Sequence, residues 1–181
     1  VSAVAQEMIA EDWYKKGLEL SKKGSHEEAV KAYDKAIEIE PQNAMFWFAK
    51  GRGLLSTTYG PIGLNEEKRA AAEEAAIKAY DKAIQIDPNY SDAWGSKGYI
   101  LLRMASRNST VDMDMCNESL YSFDKALELN PRDANAWQGR GTLLFGLNRF
   151  EEAIESYDRA LENDPSYIGA SQGKAQALEA L

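Results

Sequence analysis

Apolar and small residues recur along the chain with a helical rhythm. Trp13, Gly17 and Leu20 stand at i, i+4 and i+7, and Ala29, Tyr33, Ala36 and Ile37 follow the same spacing. Positions spaced this way share one face of an α-helix, and lysines and glutamates fill the other faces. The pattern predicts two amphipathic helices separated by the turn-like SKKGSHEE. Pro41 closes the second, because proline cannot extend the hydrogen-bond ladder and pushes the residue before it out of helical backbone.

The same arrangement returns three more times. Ala29, Ala76, Ser119 and Ala153 lie twelve residues before Pro41, Pro88, Pro131 and Pro165; Tyr33, Tyr80, Phe123 and Tyr157 lie eight before; Ala36, Ala83, Ala126 and Ala160 lie five before. All four tryptophans, Trp13, Trp47, Trp94 and Trp137, precede a glycine by four: Gly17, Gly51, Gly98 and Gly141. Pro41, Pro88 and Pro131 each lie six residues before the next tryptophan, so the join is constant and the variation lies inside the repeat. The units are 10–43, 44–90, 91–133 and 134–167; the second carries 13 residues beyond a 34-residue period and the third 9. A fixed period of this size is the signature of a stacked array.

The W-x3-G, small, aromatic, alanine and proline slots resemble the tetratricopeptide repeat family over residues 10–167. The resemblance implies an all-α fold, a right-handed superhelical solenoid of antiparallel helix pairs A and B, forming one domain over 1–181. Small Gly17 and Ala29 would let A and B approach, Trp13 and Tyr33 would fill the space around them, and Ala36 would seat the next A helix. One unit cannot bury its faces alone, so stacked units share a core and the ends need caps. IGASQGKAQALEAL, at 168–181, reads as a polar capping helix, with Ser171 in the tryptophan slot and Ala175 in the glycine slot.

The insertions differ in character. The one at 56–74 begins as a Tyr59-Gly60-Pro61 turn and becomes a strong helix former, with Asn65 as N-cap and Glu66 and Glu67 in the first turn. An overlong second helix over 65–86 is expected. The one at 106–118 predicts a lengthened A helix, a turn around Asn108–Thr110 and a B helix from near Asp112. Either they decorate an edge or they form a second contact surface.

Composition narrows the function classes. The chain is 44% hydrophobic and 28% charged, with a formal net charge of −8, which fits a globular protein and not a nucleic-acid partner. No apolar run is long enough to span a membrane. One histidine and one cysteine cannot build a Cys/His metal cluster or a catalytic triad. Cys116, beside Met113 and Met115, reads as a packed small hydrophobe, and His26 as a surface or capping residue. Gly51-Arg52-Gly53 lies within a helix and is no phosphate loop. No enzymatic activity, cofactor or metal is expected.

The first residue is valine, which reads as a processed form or fragment; Ala3-Val4-Ala5-Gln6 fits either the end of a signal peptide or, preferably, a helix lead-in. Triplets at Asn89, Asn108 and Asn117 match the glycosylation acceptor pattern. A cytoplasmic location is preferred, with an extracellular or membrane-tethered fragment as the alternative.

The resemblance further implies a concave groove lined by the A helices. Carried over by slot, its lining is Tyr14 and Leu18; then Phe48, Arg52 and Leu55; then Tyr99, Leu102 and Arg103; then Asn135, Gln138, Thr142 and Phe145. An aromatic and aliphatic surface with two arginines suits an extended peptide or helix bearing apolar anchors and a carboxylate. Exposed aromatics could equally pack against neighbouring helices. The slots with which one subtype clamps chaperone tails hold Tyr14, Leu18, Ala49, Asp92 and Ser96, which do not fit that role. Lys16, Lys50, Lys97 and Arg140 form a basic ladder three residues after each tryptophan, read mainly as stems snorkelling over the A helices. The expected function is a non-catalytic scaffold for a protein or peptide ligand. The alternatives are self-association, giving a homodimer, and a regulatory domain of a larger protein.

Overall fold

The computed structural model describes residues 8–58, 65–107 and 112–181. Their regular elements are the helices α1 (Ala10–Lys22), α2 (His26–Ile39), α3 (Ala44–Thr58), α4 (Glu66–Ile86), α5 (Ser91–Ala105), α6 (Met113–Leu129), α7 (Ala134–Gly146), α8 (Phe150–Asn163) and α9 (Ile168–Ala180). They fall into two compact units, Val1–Pro88 and Asn89–Leu181. The lead-in through residue 7, the turns expected at Tyr59–Pro61 and Asn108–Thr110 and the Asn108 triplet lie outside the described residues.

In each unit a buried aromatic from the B helix lies against a glycine of its A helix. A β-carbon added at Gly17 would fall 2.4 Å from the Tyr33 ring, at Gly51 2.6 Å from Tyr80, and at Gly141 2.7 Å from Tyr157. The glycine slot is therefore filled by the ring of the paired helix. The next A helix closes the other side: Gly139 faces Phe123, and Gly173 of α9 faces Tyr157. Ala36 is fully buried among Trp13, Phe46 and Trp47, as a seat for α3 must be.

Two polar contacts account for the constant join. The indole N–H of Trp47 donates to the Pro41 carbonyl at 2.9 Å, and that of Trp137 to Pro131 at 2.9 Å. This bond ties the turn after one B helix to the start of the next A helix and satisfies a carbonyl beyond the helix end. The basic ladder supplies the second contact. Lys50 pairs with Asp34 at 2.7 Å, Arg140 with Asp124 at 2.8 Å and Lys174 with Asp158 at 2.5 Å. Each bond joins the aspartate of the repeated phrase to a cation sixteen residues later. The stems of Lys50 and Arg140 also bring their charges over the Trp47 and Trp137 rings, and Lys16 lies over Trp13. The ladder is thus an inter-repeat clasp and not only a set of snorkelling stems. Lys97 is buried and pairs with Glu118 at 2.7 Å.

The clasp can be tested by charge exchange. Asp124→Arg or Arg140→Asp alone should each lower stability by about 1 kcal/mol or more, and the double exchange should recover much of the loss. Urea unfolding of the three variants checks this.

The helix limits follow local signals. Asn65 caps α4 by accepting from the Lys68 amide at 3.0 Å, and α4 starts within a residue of its expected position. Asp112 caps α6 by accepting from Met115 at 3.0 Å. α5 has 15 residues, two more than α1 and α7 but the same as α3. In the uninterrupted repeats the A–B turn passes through a left-handed residue, Gly24 (φ 81) in one and Asn148 (φ 59) in the other. These are the residue types that adopt this backbone at least cost. Cys116 is buried in the α5–α7 core, as a small hydrophobe should be. His26 opens α2 half-buried, after Ser25 as the N-cap.

Candidate interaction face of the A helices

In the first unit, α1 and α3 bring Tyr14, Phe48 and Arg52 together. Tyr14 is half-buried, with its ring 5.2 Å from Phe46 and 6.0 Å from Tyr33. Phe48 packs on Tyr80 at 5.6 Å, and the Arg52 guanidinium lies 5.9 Å from the Phe48 ring. Both aromatics pack inward, and Phe48 also lies under a cation. Arg52 is exposed, and among the described residues no carboxylate pairs with it. Its charge reaches Tyr14 and Tyr33, although burial outweighs it and raises both hydroxyls above their usual pKa. Leu18 is 36% exposed, and Leu55 is half-buried.

In the second unit, α5, α7 and the start of α9 carry a polar cluster. The Tyr99 hydroxyl reaches the Asn135 carbonyl and, at 3.1 Å, Gln138 Oε1. The Gln138 amide donates to Thr142 Oγ1 at 2.9 Å, and Thr142 donates to the Gln138 carbonyl at 3.0 Å. Tyr167 donates to Asn135 Oδ1 at 2.9 Å. The Tyr99 ring stands edge-on to Phe123 at 5.1 Å. The structure thus joins Tyr99, Asn135, Gln138 and Thr142 in one network, to which Tyr167 is the member sequence reasoning missed. Leu102 packs on the neighbouring core. Arg103 is half-buried, with Nε and Nη2 out of solvent. Burial, followed by the nearby Arg107, lowers its pKa. Phe145 packs on Phe150 at 5.6 Å, across the α7–α8 turn. The two arginines are therefore unlike: Arg52 faces solvent, whereas Arg103 lies largely within the fold.

Five tyrosines, Tyr14, Tyr33, Tyr99, Tyr157 and Tyr167, have their pKa raised above 10.0, in each case chiefly by burial. The folded chain favours their neutral form. Their contribution is complete below the unfolded value and is lost as pH rises through it toward the folded values. Stability should be unaffected by these groups up to about pH 9 and should fall above about pH 10. Thermal unfolding followed beside tyrosinate absorbance checks this.

Among the described residues no cluster of three metal-ligating side chains occurs, and no helix is long and apolar enough to cross a membrane. Sequence profiles of the tetratricopeptide repeat match residues 10–43, 79–110 and 134–167, more than half of the chain. An uncharacterised protein of Methanocaldococcus jannaschii is 44% identical over 45 residues, covering 25% of this chain and 52% of that protein. The chain thus spans about half the length of the curated relative it matches. Among solved structures, a MamA protein superposes with a TM-score of 0.75 at 19% identity, covering 94% of this chain and 81% of its own. A thermophilic tetratricopeptide repeat protein of Thermus thermophilus gives 0.71 at 17% identity, covering 94% and 81%. These likenesses place the fold in the all-α helical-repeat superhelix class.

Proposed function

The chain belongs to the tetratricopeptide repeat family, and on that premise we propose that its A-helix surface receives a partner-protein segment that places a carboxylate on Arg52. The family's fold is that of a protein-interaction scaffold, generally without catalysis. The observation that carries the finer reading is Arg52 itself. Most basic side chains of the ladder are clasped by carboxylates, as Lys50, Lys97, Arg140 and Lys174 are. Arg52 instead lies over an aromatic ring, exposed and without an acidic partner among the described residues. A guanidinium held by a ring keeps its fork of donors for an incoming carboxylate and loses little freedom on binding. Leu18 and Tyr14 offer apolar contact nearby in the same unit, and Phe48 supports the cation. In the second unit, the Tyr99–Gln138–Thr142 network holds polar groups in fixed positions that suit hydrogen bonds to an extended backbone.

The test compares this chain with Arg52→Glu as baits in the native cell extract. Circular dichroism should be unchanged, because the residue is exposed. Retention of the bound partner should fall at least tenfold in the variant. Equal retention by both baits removes Arg52 as the anchor.

A further inference from the structure

We propose a second docking surface on the B-helix side of the first unit: the groove between α2 and α4 takes an acidic peptide segment carrying a bulky apolar side chain. The groove encloses about 730 Å³. Trp47 and Leu54 of α3 form its floor, with Val30 of α2 and Ala75 and Ala79 of α4 as its walls. A space of this size and lining accommodates one or two large apolar side chains.

The second unit shows why it is open. There the equivalent slot is crossed by a strap: Arg140 of α7 donates to Asp124 of α6 at 2.8 Å and to Ser156 of α8 at 2.7 Å. Leu120 fills the adjoining space, packed against the cores on both sides. In the first unit the aspartate is kept as Asp34, but the other three residues are replaced by smaller or shorter ones. Lys50 stands for Arg140, Val30 for Leu120 and Ala79 for Ser156. Lys50 reaches Asp34 on α2, but Ala79 offers it no acceptor on α4. The strap is missing, and the groove remains.

Charge selects the occupant. Lys50, Lys78 and Lys82 line the groove against Asp34 and Asp81, a net positive site in a chain of net charge −8. Lys50 already neutralises Asp34. Lys82 donates to the neutral amide of Gln85 at 2.9 Å, and Lys78 is exposed with no ion pair among the described residues. An acidic segment is drawn to this rim and repelled by most of the remaining surface. The site is separate from Arg52 and does not depend on the A-helix reading.

The test is a nitrogen-15 NMR titration with an acetylated, amidated hexapeptide, Glu-Glu-Leu-Phe-Glu-Glu, watching the indole N–H of Trp47. The signal is expected to shift and saturate. Binding should weaken at least tenfold in Val30→Leu/Lys50→Arg/Ala79→Ser, which carries the residues of the second unit, and at least threefold in the exposed single variant Lys78→Glu. A peptide with lysine in place of glutamate should bind at least tenfold more weakly. An unmoved Trp47 signal overturns the proposal, as do shifts confined to Phe48 and Arg52, which would assign the peptide to the A-helix face. Equal affinity of the lysine peptide, or undiminished binding by both variants, also overturns it.

Discussion

Phe123→Ala is expected to cost about 3–5 kcal/mol, because it removes a fully buried aromatic ring from the meeting point of three helices. The ring lies against Gly98 of α5, where an added β-carbon would be 3.0 Å away, and against Gly139 of α7, at 2.6 Å. Gly98 and Gly139 have no side chains to lean into the cavity, so on those two sides it can close only by movement of the helices. Tyr99 would also lose its edge-on partner at 5.1 Å, and Tyr99 is the residue whose hydroxyl ties α5 to Asn135 on α7. The damage should therefore reach the polar network of the A-helix face. Urea unfolding should show the loss in midpoint, and Tyr121→Ala, at a site 53% exposed, should change stability by less than about 1 kcal/mol. A cost for Phe123→Ala as small as that of Tyr121→Ala would contradict the central place given to this ring.

Gly51→Val should destabilise by about 1–3 kcal/mol, although valine favours a helix slightly more than glycine does. The added β-carbon would lie 2.6 and 2.9 Å from atoms of the Tyr80 ring. That ring is 1% exposed and is itself packed on Phe48 at 5.6 Å, so it has nowhere to retreat. The same reasoning gives the opposite sign at Gly146, the last residue of α7, where nothing lies within 4 Å of an added β-carbon. Gly146→Ala should be neutral or stabilising by up to about 1 kcal/mol, because only the unfolded chain loses freedom. Chemical denaturation of the two variants side by side separates packing from propensity. A stabilised Gly51→Val would mean that the glycine slot is not a packing slot.

The helices were legible because each carries several independent signals. α4 was readable from Asn65, the glutamates after it and the alanine-rich run, all pointing the same way. Gly17, Tyr33 and Ala36 were readable as a packing set because no other residue sizes fit a close helix pair. The clasp was half-legible: the cations stood out as a ladder, but their aspartates were hidden inside the repeated phrase. The fixed sixteen-residue offset between Asp34 and Lys50, or Asp124 and Arg140, was the signal that could have found them. Slot position alone could not separate Arg52 from Arg103, since exposure depends on what packs beside each guanidinium. Tyr167 was missed because it lies in a turn between helices, outside any helical period. The α2–α4 groove was invisible for a related reason. It arises from three small size differences between repeats, and these matter only once the helices are placed together.

The most direct test of the A-helix surface as the partner-binding face is site-specific photo-crosslinking in the native extract. One probe replaces Leu18, on α1, and another replaces the exposed Glu155, on α8. A discrete crosslinked partner is expected from position 18 that disappears when Arg52→Glu is added, with little or none from position 155. Crosslinking from position 155 alone, or crosslinks at position 18 that persist unchanged in the Arg52→Glu background, would contradict the A-helix surface as the partner-binding face.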